Sequence, residues 1–166
     1  MVADYLHNHK DFAGLLRILE DETGILAGLI EKDYWIMHAL YGLKHQGFEF
    51  ELKGGTSLSK GYKIIDRFSE DIDIHIKPDA AFGINENPKN NKPGNIAARK
   101  NFYNNLVETI KIEGIISLER DHAFDDTAQY RSGGIRLHYP SYTSAIDGVK
   151  EGILLEAGFD KVTPNH

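Results

Sequence analysis

A chain of 166 residues, 41% hydrophobic and 27% charged, suits one domain with a real core rather than a disordered segment. It has no apolar run near the roughly 18–20 residues that span a bilayer, no signal-peptide pattern in Met1-Val2-Ala3-Asp4-Tyr5, and no cysteine for a disulfide, thiolate metal site or thiol nucleophile, so the simplest location is the cytoplasm. A formal charge of −6 argues against a broad basic surface for duplex nucleic acid, while leaving room for a local basic patch.

Phe12, Leu15, Leu16 and Leu19 follow helical spacing, as do Ile36, Ala39, Leu40 and Leu43, which predicts two amphipathic helices over most of the first 47 residues with a break near Gly24. The period then changes. Phe48, Phe50 and Leu52 alternate with Glu49, Glu51 and Lys53 as in a half-buried strand, and Gly54-Gly55 ends it. Thr56 or Ser57 can cap a short helix carrying Leu58, Tyr62 and Ile65 on one side. A second strand follows, in which Ile72, Ile74 and Ile76 alternate with Asp71, Asp73 and His75.

Asn85 to Asn95 is rich in Asn, Pro, Lys and Gly and reads as a loop or a partly disordered stretch. A helix over about Ile96 to Lys111 buries Phe102, Leu106 and Ile110. Later strands are expected at Ile115–Glu119, at Tyr130–Tyr139, where Gly133-Gly134 hints at a bulge or turn, and at Gly152–Phe159. Helices first, then a mixed sheet with helices packed on it, give an α/β or α+β class in a single domain over 1–166. The final Asp160-Lys161-Val162-Thr163-Pro164-Asn165-His166 reads like a strand exit leading onward, so a longer native protein is expected.

Chemistry concentrates around the second strand. Asp71 and Asp73 are two apart, so both side chains leave one face, about 7 Å apart along it. Paired acids on a rigid face suit a hard cation such as Mg²⁺, whose octahedron phosphates and waters complete. Two such ions, roughly 3.5–4 Å apart, stabilise attacking and leaving oxygens in an in-line displacement. Standing alone, Asp-x-Asp is more often the solvent face of an edge strand, and Ile74-His75-Ile76-Lys77 continues a strand where an EF-hand would turn. The upstream Gly54-Gly55 changes that balance. A glycine turn after a strand and before a helix directs free backbone N–H groups at one point, which is an anion cradle. The turn lacks the Gly-Lys-[Ser/Thr] ending of a P-loop.

A third acid is expected from a neighbouring strand. Glu156 stands in the apolar run Ile153-Leu154-Leu155-Glu156-Ala157, where a lone carboxylate is costly unless paired or metal-bound. Asp147 and Asp160 are weaker candidates. Lys60 can reach a phosphate or sit as a solvated helix lysine; Arg67, which with Ser69 precedes the acid strand, can contact phosphate or pair with Glu70 or Asp71. His75 shares the aspartates' face, although a lone histidine is commonly structural. Tyr34 and Trp35 read as helix-packing residues. Arg136 and His138 lie on the polar face of their strand, and Arg136 is the first choice for a further phosphate contact. Lys89, Lys92, Arg99 and Lys100 flank the loop and could meet RNA, but a solubilising role fits them better.

Lys53-Gly54-Gly55-Thr56-Ser57-Leu58-Ser59-Lys60 followed by Arg67-Phe68-Ser69-Glu70-Asp71-Ile72-Asp73 resembles the nucleotidyltransferase superfamily that includes DNA polymerase beta. Within it the text looks most like the AbiEii/AbiGii toxins of type IV toxin–antitoxin systems, which act in abortive infection, and Glu31-Lys32-Asp33-Tyr34-Trp35 looks like that group's N-terminal helix. The resemblance implies a nucleotidyltransferase fold with a mixed sheet flanked by helices behind an N-terminal helical pair. It implies transfer of a nucleoside monophosphate from an NTP, GTP among the choices, to an RNA (including tRNA) or protein hydroxyl. Gly54, Gly55 and Ser57 would hold the triphosphate, Asp71 and Asp73 would bind Mg²⁺, and Glu156 would be the third carboxylate. A cognate antitoxin and a helical C-terminal half absent from this chain are also implied. The rival readings are a non-catalytic nucleotide- or partner-binding module with the same fold, and a metal-dependent phosphohydrolase.

Overall fold

The computed structural model describes residues 5–53, 71–87, 89–146 and 148–159. Two helices lead, α1 at Phe12–Thr23 and α2 at Ala27–Gln46. Each stops at a glycine in the left-handed conformation, Gly24 with φ 75° and Gly47 with φ 104°, where a side chain would be strained. The break falls where the periodicity placed it. Across it, the Glu20 carboxylate accepts the Ala27 N–H at 2.5 Å and so satisfies a first-turn donor of α2.

Behind them stand β1 at Phe50–Leu52, β2 at Asp71–Ile76, α3 at Pro93–Thr109, β3 at Ser117–Arg120, β4 at Ser132–His138 and β5 at Ile153–Gly158. α3 begins three residues earlier than its apolar pattern suggests, because Pro93 at the first helical position has no N–H to lose and a preset φ. The sheet runs β1-β2-β5-β4-β3; β2 and β5 are parallel and the other pairs antiparallel. The class expected from sequence, a mixed sheet flanked by helices, is the class observed.

One face of the sheet is the core. Ile72, Ile74, Ile76, Ile135, Leu137, Ile153, Leu155 and Ala157 are all at most 1% exposed there, packed with Trp35, Ile36 and Leu43 of α2 and Phe102 and Leu106 of α3. Each such isoleucine or leucine contributes about 1.5–3 kcal/mol on burial. That sum fixes the register, since a one-residue slip of β2 would turn its three isoleucines to the opposite face and its acids into the core. Tyr34 and Trp35 are packing residues as expected: Trp35 is fully buried, and Tyr34 packs against the core.

Gly133-Gly134 makes neither bulge nor turn. The β4–β5 ladder runs unbroken through both. Their smallness serves close approach instead. A Cβ on Gly133 would stand 2.6 Å from the Tyr103 ring, and one on Gly134 would collide with the Asp121 carbonyl oxygen. The Asn85–Asn95 stretch is a laced loop where described. Asn95 bonds Asn85 in both directions, and the Arg99 guanidinium, fully buried, donates to Asn91 Oδ1 and to the carbonyls of Asn87, Asn90 and Gln129. Arg99 is therefore neither an RNA contact nor a solubilising residue; it is the loop's anchor. Among the described residues no helix is long and apolar enough to cross a membrane.

Candidate active site

Opposite the core, the second face of β2 carries Asp71, Asp73 and His75, with Asp71 exposed and the other two half-buried. The parallel ladder aligns Asp73 with Glu156 and Asp71 with Leu154. Parallel neighbours lie about 4.8 Å apart, so Asp73 and Glu156 are side by side, with Asp71 one pleat away on the same face. Three carboxylates thus meet on one face. The elements that hold them are buried strands, which gives the group little freedom to spread.

The charges are felt. Burial, then Asp73, then Asp71 push the Glu156 carboxyl above its ordinary range, and Lys53 opposes them. Lys53 stands at the end of β1. Its backbone N–H donates to the Asp73 carbonyl at 2.7 Å, and its ammonium lies 3.6 Å from Asp73 Oδ1. Carboxylate oxygens crowded in this way form a hard-donor set, so the residues present fit a divalent cation such as Mg²⁺.

Glu156 owes its partial burial to a wall on the same face. Gly134 is its ladder partner in β4, and the space over Gly134 is filled by the Asp121 backbone and the Phe124 side chain. Asp125 ties that wall down. Its carboxylate accepts from the Gly134 N–H at 2.9 Å and contacts Arg120 Nη2 at 2.5 Å and His122 Nδ1 at 2.8 Å. Burial alone would raise the Asp125 pKa, but these bonds outweigh it and hold the carboxyl below its usual range.

Arg136 lies on the acid face as its alternation suggests, but its guanidinium is engaged. Nε and Nη2 donate to Asp121 Oδ2 at 3.1 and 2.9 Å, and Nη1 donates to the Glu151 carbonyl at 3.1 Å. It braces the wall and the approach to β5. His138 pairs with Glu119 at 3.0 Å on the sheet's β3 edge. Gly54, Gly55, Thr56, Ser57, Lys60, Arg67 and Ser69, like Asp147 and Asp160, lie outside the described residues. Their described flanks, Lys53 and Asp71, both stand at the carboxylates.

Two lysines were given no role of their own by the sequence. Lys53 had a signal in its place immediately before the glycine pair. Lys150, whose ammonium lies 5.4 Å from the centre of the Phe124 ring, had none beyond preceding the Glu156 strand. The Glu31-Lys32 pair is structural. Glu31 is 1% exposed and accepts from Ser141 Oγ at 2.6 Å, Tyr142 N–H at 2.7 Å and Thr143 Oγ1 at 2.8 Å, while Lys32 donates to the Lys150 carbonyl at 2.8 Å. Together they fasten the segment leading to β5 onto α2.

The family model described as "Nucleotidyl transferase AbiEii toxin, Type IV TA system" matches residues 38–166, and the chain belongs to that family. The match begins inside α2, so Glu31–Trp35 precede it. Among solved structures the chain is similar to MenT4, a nucleotidyltransferase toxin from Mycobacterium tuberculosis, at 16% identity and a TM-score of 0.52. That likeness covers 89% of this chain and 44% of MenT4, so the chain spans under half of that protein's length. No curated protein matches the chain.

Proposed function

We propose that this chain carries the metal–nucleotide site of a toxin that transfers a nucleoside monophosphate from an NTP to a hydroxyl of RNA, tRNA included, or of protein. The observation that supports this most is the register that sets Glu156 beside Asp73 and leaves Asp71 on the same face. Family membership supports the reaction class, and the acceptor, the choice of NTP (GTP included), a cognate antitoxin and a cytoplasmic setting belong to the proposal.

In this reading Asp71, Asp73 and Glu156 would hold two Mg²⁺ ions, which when bound supply charge neutralisation at the triphosphate and activation of the acceptor oxygen. Asp73 and Glu156 are held by the ladder, so their oxygens need little reorganisation before reaction. The acceptor oxygen forms a bond to the α-phosphorus, the bond to the bridging oxygen breaks, and pyrophosphate leaves. Glu156, beside Asp73 on the neighbouring strand, would also be placed to take the acceptor's proton. Lys53 balances Asp73 and adds positive charge where the triphosphate would enter. Gly54, Gly55, Thr56 and Ser57 would cradle the phosphates, with Lys60, Arg67 and Ser69 beside them. Arg136 serves by bracing the Asp121 wall, not by direct contact. The chain would form one domain, the N-terminal part of a longer protein with a helical C-terminal half.

Incubating the longest native form with labelled NTPs, Mg²⁺ and candidate acceptors tests the proposal. Label should move to an acceptor, and Asp71→Ala should abolish it. Tight NTP·Mg²⁺ binding with no labelled acceptor would instead indicate a non-catalytic binding module, and nucleoside or phosphate release without an acceptor a phosphohydrolase.

A further inference from the structure

Two turns along α2 from its Glu31 latch, three segments distant in sequence bring metal-ligating groups together. His7 comes from the short 3-10 helix Leu6–Asn8, His38 from α2, and Glu113 from the turn after α3. A ring nitrogen of each histidine and a carboxylate oxygen of Glu113 all lie within 4.8 Å of one another. Both histidines are more than nine-tenths buried, and Glu113 reaches them from the surface.

The surroundings orient these groups as ligands. His7 Nδ1 is 2.7 Å from the Tyr34 hydroxyl, which leaves Nε2 to face Glu113 Oε2 at 2.5 Å. His38 Nε2 is 2.7 Å from the Glu113 carbonyl oxygen. Anchoring one imidazole nitrogen on a hydroxyl or carbonyl is how a metal-ligating histidine is held in tautomer and rotation. Asn8 Nδ2 donates to Glu113 Oε1 at 3.1 Å and steadies the carboxylate.

We infer that His7, His38 and Glu113 form a site for one borderline divalent cation of the Zn²⁺ type, separate from the carboxylate face of the sheet. Two imidazoles and a carboxylate are the donors that ion prefers, whereas a hard cation such as Mg²⁺ favours the all-oxygen set on β2. Zn–N and Zn–O bonds of about 2.0–2.2 Å require the ligand atoms to part from 2.5 Å, and the half-exposed Glu113 side chain has solvent to move into. The bound ion would staple the N-terminal segment to α2 and to the turn that follows α3.

The test is to strip the purified 166-residue chain with a chelator, dialyse it against Zn²⁺, and count retained metal by mass spectrometry. One Zn²⁺ per chain is expected, lost in His38→Ala and in Glu113→Ala and retained in the Asp71→Ala/Asp73→Ala double variant. Tyr34→Phe removes only the orienting hydroxyl and should weaken Zn²⁺ about 10–100-fold, read by competition with a chromophoric chelator. Co²⁺ in place of Zn²⁺ should give a visible absorption band that Glu113→Gln removes while far-ultraviolet circular dichroism stays native. No retained metal, or retention that follows the aspartates instead of the histidines, overturns the assignment.

Discussion

Asp71, Asp73 and Glu156 are placed on the sheet by backbone register, whereas the polar groups of the helical flank are placed by side chains reaching far along the chain. Glu31 finds Ser141, Lys32 finds the Lys150 carbonyl and His7 finds Glu113 across 110, 118 and 106 residues. On the flank the buried Glu31 carboxylate meets three donors. On the sheet, acids crowd one another and Glu156 is driven up in pKa. Like charges assembled rather than dispersed support the proposed cation site on this face.

Breaking each region separately should give separate losses. The largest is catalytic: Asp73→Asn should lower label transfer by on the order of 10³-fold, since a metal ligand supports several kcal/mol of transition-state stabilisation, while leaving the urea midpoint nearly unchanged. Glu31→Ala should do the opposite. It strands three donors that had a charged acceptor and should cost about 3 kcal/mol in urea unfolding, with any activity loss following from the loosened approach to β5. Gly134→Ala probes the wall beside Glu156. Its Cβ would strike a backbone carbonyl that cannot turn aside, so about 1–3 kcal/mol should be lost by the same measurement.

The smallest effect sharpens the electrostatics. Because folding raises the Glu156 pKa, its contribution to stability is fully present below the ordinary value of 4.5 and is lost as pH rises through the raised value. With metal chelated, wild type should therefore lose stability relative to Glu156→Gln as pH climbs above about 4.5 toward neutrality. A constant difference across that window would mean that neither burial nor Asp73 and Asp71 raise the Glu156 pKa.

The same contrast explains what could be read beforehand. Alternation set Asp71 and Asp73 on one face because Ile72, Ile74 and Ile76 had to be buried, and Glu156 stood out as one acid in an apolar run. Both are local patterns. Arg136 was readable as to face but not as to partner, because Asp121 reaches it only through the turn after β3. Arg99 sat in a polar, lysine-rich stretch and looked solvated, yet the carbonyls of a closed loop draw it inside. Gly133-Gly134 resembled a turn because composition does not distinguish positive φ from close approach. His7, His38 and Glu113 leave no local pattern at all.

Manganese binding, followed by electron paramagnetic resonance as a stand-in for Mg²⁺ in the presence of NTP, tests the central claim most directly. The carboxylate face predicts bound manganese in the wild-type chain and loss of that signal in the Asp73→Asn/Glu156→Gln double variant. Equal binding by the two proteins would contradict it.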